Sequence, residues 1–109
     1  MTKVRIHAGI CGMESTVEVR RADGETFSLR IDSDCPMVQA LASDLESIEL
    51  MEIFQPILEN RVYREASARL RHATCPVASG VIKAVEVEAG MALPKDARIT
   101  FEPSGDPDA

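Results

Sequence analysis

Apolar and polar residues alternate first in Lys3–Ala8, where Val4, Ile6 and Ala8 fall on one side and Lys3, Arg5 and His7 on the other. A period of two predicts a half-buried strand and places His7 on the side away from any covering helix. Thr16–Arg21 and Thr26–Asp32 alternate in the same way around Ala22-Asp23-Gly24, which predicts a hairpin. A two-residue Asp23-Gly24 turn would set Val19 opposite Ser28 and throw the two apolar sets onto opposite faces. A three-residue loop is therefore expected, pairing Val19 with Phe27 and Val17 with Leu29, with Gly24 in the left-handed position of a bulged turn.

The period then changes. In Thr74–Ala89 the residues Val77, Ala78, Val81, Ile82 and Val85 recur at helical spacing and form one apolar flank. Pro76 suits the first helical position, which makes Cys75 the expected N-cap, and Gly90 supplies the stop. Gly80 lowers helix propensity but lets another backbone come close. Ser33-Asp34-Cys35-Pro36 repeats the same entrance before a helix carrying Val38, Leu41, Ala42, Leu45 and Ile48. Pro56 opens a second helical region through Leu58, Val62, Ala66 and Leu70. Ala97–Phe101 alternates again and is expected to close the fold as a strand with Ala97, Ile99 and Phe101 inward.

These elements predict one α+β domain over residues 1–102, in two layers, followed by a loose tail over 103–109. The expected order is β-β-β-α-α-α-β, with three helices on one face of a small mixed four-stranded sheet. The last strand would run parallel to the first, with the place beside it preferred. Open sheet edges and a small aliphatic core favour a homodimer.

Charge narrows the function classes. The 109 residues hold twelve basic and eighteen acidic side chains, a formal charge of −6, with three Phe, one Tyr and no Trp. No basic stripe with interleaved aromatics is present, which argues against a nucleic-acid groove. Arg20-Arg21 and Arg69-Leu70-Arg71-His72 read as solvated faces. The chain shows neither a secretory hydrophobic region nor an apolar run long enough for a membrane span, so a cytoplasmic location is expected. Three cysteines in a reducing setting do not suggest a disulfide framework.

The cysteines supply the candidate chemistry. In an antiparallel meander the first and third strands end at one rim, so Cys11 and Cys35 share it, and a returning helix pair brings Cys75 to the same place. Thiolates bind soft and borderline metals, and a helix N-terminus stabilises their charge. Cys11, Cys35 and Cys75 are thus candidate metal ligands for zinc or an iron–sulfur cluster. A structural zinc ion takes four protein ligands, and His72 is the candidate fourth, with His7 weaker because of its strand face. The close CxxC spacing of common cluster signatures is absent.

Two other readings stay open. One is thiol redox or cysteine-dependent catalysis with His72 as base; the other is an interaction or dimerisation domain whose thiols are structural. Asp34 and Glu14 lie near the rim and read as turn or surface residues. No G-x-G-x-x-G, Walker sequence, H-E-x-x-H or nucleophile elbow occurs.

The segments His7–Gly12 (HAGICG), Ser33–Pro36 (SDCP), Cys75-Pro76 and Ala92–Asp96 (ALPKD) together resemble a small family of prokaryotic proteins carrying this pattern. The resemblance spans nearly the whole domain. It implies relatedness and brings no activity or residue roles with it.

Overall fold

The computed structural model describes residues 1–106. Three strands, β1 (Thr2–His7), β2 (Glu14–Asp23) and β3 (Thr26–Ser33), form an antiparallel meander. Helix α1 (Pro36–Asp44) follows, then a three-residue strand β4 (Ser47–Glu49), a 3₁₀ segment over Leu50–Phe54, and helices α2 (Arg61–Arg69) and α3 (Val77–Glu88). The sheet order is β1-β2-β3-β4, and every pairing is antiparallel. The fold is α+β: α3 packs across β1 and β2, α1 packs on β3, and α2 contacts both helices.

Two expectations about the sheet are corrected. The fourth strand is Ser47–Glu49, inserted between α1 and α2, so the sheet is antiparallel rather than mixed. Ile48, expected to extend the flank of the first helix, instead pairs with Phe27 and is buried. Ala97–Phe101 forms no strand, and Ile99 and Phe101 are exposed. The second helix starts at Arg61 rather than near Pro56, which leaves Leu58 outside it and exposed. Of the expected tail, 103–106 has no helix or strand, and 107–109 lies outside the described residues.

The hairpin keeps its faces but slides by two residues. Val19 pairs with Leu29 and Val17 with Ile31, not with Phe27 and Leu29. A bulge between Arg21 and Asp23 absorbs one residue, and the loop tightens to Gly24-Glu25, with Gly24 at φ +57°. This register sets Ser15 opposite Ser33, so the buried Ser15 hydroxyl donates to Ser33 Oγ at 2.8 Å. It also sets Arg21 opposite Phe27, with the guanidinium 4.8 Å from the ring centroid. A cation over the ring face shields the last aromatic of the hairpin from water.

The core lies between sheet and helices. Val17, Val19, Phe27, Leu41, Leu45, Val62, Val81, Ala84 and Val85 have no solvent exposure. Gly80 sits where α3 crosses β1: a Cβ there would stand 2.9 Å from Ile6 Cγ1 and closer still to Cδ1. The missing side chain admits a neighbouring isoleucine rather than a backbone. α3 ends in a Schellman motif, in which Gly90 at φ +76° donates to Val87 O at 3.0 Å and Met91 N–H donates to Glu86 O at 2.9 Å.

Candidate functional site

The cysteine-bearing turns lie at one end of the domain. β1 ends at His7, opposite Glu14 at the start of β2, and Ser15 pairs with Ser33 at the end of β3. The loop carrying Cys11 closes through Gly12 N–H to Gly9 O at 2.9 Å and Ala8 N–H to Met13 O at 3.2 Å. Gly9 and Gly12 adopt φ of +93° and +73°, a region that side-chain-bearing residues rarely enter. Cys11 is exposed on this loop.

Cys35 is the N-cap of α1, with Pro36 at the first helical position. Its thiol makes no capping hydrogen bond, while its own N–H donates to Ser33 Oγ at 3.0 Å. The sulfur is therefore not used to hold the helix end. Cys75 stands two residues before the start of α3 at Val77, and the N-cap is Pro76 rather than Cys75 as expected. The difference is a single residue, within the fraying of helix ends.

Two clefts flank the start of α3 and the end of α2, the segments on either side of Cys75. Pro76 lines one cleft together with His7 and the rest of β1, which brings the start of α3 to the end of β1. His72 lines another with Pro36, Met37 and Ala40, at the start of α1. Cys75 N–H donates to His72 O at 3.1 Å, joining the two. Cys35 and Cys75 are half-buried and pack against the rim of the core.

Topology thus brings the three turns to one rim. Among the described residues, no group of three or more His, Cys, Asp or Glu side chains is arranged to hold a metal ion, and all three cysteines are free thiols. The sulfurs share an end of the domain without forming a coordination shell in this conformation. His72 is exposed. His7 Nδ1 lies 2.9 Å from Oε1 of Glu14, the residue opposite it on β2. Asp34 donates its backbone N–H to Glu14 O at 3.4 Å, a turn contact that ties the β3 exit to the β2 entrance.

Asn60 was missed by the sequence reading. It is 2% exposed and caps α2: its Oδ1 accepts from Val62 N–H at 2.9 Å and Tyr63 N–H at 3.4 Å, while Nδ2 donates to Ile53 O and Gln55 O. An Asn two residues before the first periodic valine was the available signal.

The fold and this rim define a small α+β domain with an antiparallel four-stranded sheet, helices on one face and three free cysteines at one end. A family model described as a family of unknown function, DUF6951, matches residues 2–101, and the chain belongs to that family. No curated protein and no solved structure matches it. No helix among the described residues is long and apolar enough to cross a membrane.

Proposed function

We propose that the domain binds a soft or borderline metal, as zinc or an iron–sulfur cluster, through Cys11, Cys35 and Cys75. The observation that carries this reading is the placement of Cys35 and Cys75, two half-buried thiols at the entrances of α1 and α3 on one rim, neither serving as a side-chain cap. The Gly9–Gly12 loop has the backbone freedom to bring Cys11 inward when a cation offsets the repulsion among three sulfurs. His72 completes the set as a fourth ligand for zinc, and an open position is left if it stays in solvent. A reducing, cytoplasmic setting suits three unpaired thiols.

Anaerobic purification followed by elemental analysis and an absorption spectrum tests the reading. Stoichiometric zinc without visible absorption supports a zinc site, and iron with sulfide and a broad visible band supports a cluster. Chain that carries neither, and takes up neither on anaerobic reconstitution, contradicts the proposal. The exposure of Cys11 favours a second reading, thiol exchange at that residue, which such a result would promote.

A further inference from the structure

Among the described residues, the free edge of β1 and the segment 91–106 are left without strand partners. β1 is the outer strand of the sheet, so the backbone groups on its far side pair with no strand among the described residues. Beside that edge lies a cleft of about 640 Å³ between β1, α3 and Pro94–Arg98. Pro94–Arg98 reach the cleft but form no strand with β1. A tight turn, Lys95 N–H to Leu93 O at 2.8 Å, opens the segment.

Ile99 and Phe101 lie beyond the cleft lining and are 90% and 96% exposed. With Ala97 they alternate against Arg98 and Thr100, the pattern of a strand with one apolar face. The family match runs through residue 101, so these side chains belong to the shared domain. A soluble fold does not ordinarily leave such a strand bare beside an open edge.

We propose that Ala97–Phe101 is an exchanged strand: it adds to the β1 edge of a second copy of this chain, and the two copies donate reciprocally. The cleft beside β1 is where the arriving strand lies. In its own chain Pro94–Arg98 line the cleft without pairing to β1, and Ile99 and Phe101 lie outside its lining; in the exchange this segment swings out and leaves the edge to the arriving strand. The second copy offers them the cleft wall made by Val4, Ile6, Gly80 and Val87.

Charge supports the same occupant. The chain as a whole carries −6, yet Arg5 on β1 and Lys83 on α3 line this cleft without an ion-pair partner among the described residues. The arriving strand is followed at once by Glu102, the charge that these side chains attract. Backbone pairing along the edge supplies affinity, and the alternating apolar side chains fix the register.

Light scattering on the full chain and on the double variant Ile99→Asp, Phe101→Asp, together with amide exchange of β1, tests the exchange. Both substituted residues are exposed, so the variant is expected to fold with an unchanged circular dichroism spectrum. The full chain is expected to be a dimer in which the β1 amides pointing away from β2 are protected; the variant is expected to be a monomer that has lost that protection. A full chain that stays monomeric to high micromolar concentration overturns the proposal, including one whose β1 amides are protected by closure of its own strand. A dimer that survives both substitutions overturns it as well.

Discussion

Gly80 and Ile6 occupy one volume: a Cβ on residue 80 would stand 2.9 Å from Ile6 Cγ1, so α3 can approach β1 only while residue 80 has no side chain. Two effects compete in Gly80→Ala. Helix propensity favours Ala by about 1 kcal/mol. Overpacking against the 7% exposed Ile6 costs about 1–3 kcal/mol. Packing wins, and a net loss of up to about 2 kcal/mol is expected in urea unfolding. In an Ile6→Ala background the order reverses, because the clash is gone; a double-mutant cycle with no coupling would refute this account of the glycine.

Asn60→Ala removes two helix-capping acceptances and leaves the carbonyls of Ile53 and Gln55 without their side-chain donor. A buried cap of this kind is expected to contribute about 2–3 kcal/mol. Asn60→Asp keeps the acceptor, loses both donors and buries a carboxylate, so it should not restore the wild type. Chemical denaturation of the two variants checks this, and a loss below half a kcal/mol for Ala would show the cap to be dispensable.

Stability should depend on pH through Glu88. The Thr2 hydroxyl donates to Glu88 Oε1 at 2.7 Å, and the Met1 ammonium lies 3.6 Å away. The hydroxyl, and then the ammonium charge, hold the carboxyl below its ordinary value of 4.5 against the opposing effect of burial. A carboxyl whose folded value is lowered contributes its stabilisation in full above 4.5 and loses it as pH falls through the folded value. Glu88→Gln should therefore be slightly less stable than wild type at neutral pH, with the gap closing in acid. Urea midpoints at neutral and acidic pH measure it; a gap that is constant with pH would show that the ionised form is not the stabilising one.

How much of this was legible depended on whether a pattern had enough residues to declare itself. The β1–β3 meander, the Cys35-Pro36 entrance and the Gly90 stop were readable because alternation, proline and glycine each act locally. β4 was not, since three residues cannot display a period and Ile48 lies three places after Leu45, the spacing of a helix flank. The hairpin faces were right because parity is set by burial. The register slid by two because the pairing of Ser15 with Ser33, far from the turn, is invisible in the turn itself. Ala97–Phe101 has the pattern of a strand but no partner within the described residues, which periodicity cannot reveal. The shared rim of the three cysteines followed from connectivity; how closely their sulfurs approach depends on loop dihedrals at Gly9 and Gly12 that the sequence leaves free.

The most direct test of a shared thiolate site is the metal content per chain of anaerobically prepared wild type beside Cys11→Ser, Cys35→Ser and Cys75→Ser, each checked for folding by circular dichroism. One site made by all three sulfurs should give a fixed stoichiometry in the wild type and a loss of at least tenfold in affinity in every variant, the scale set by removing one strong ligand. A wild type that binds no metal, or a Cys11→Ser chain that retains it undiminished, would contradict the shared site.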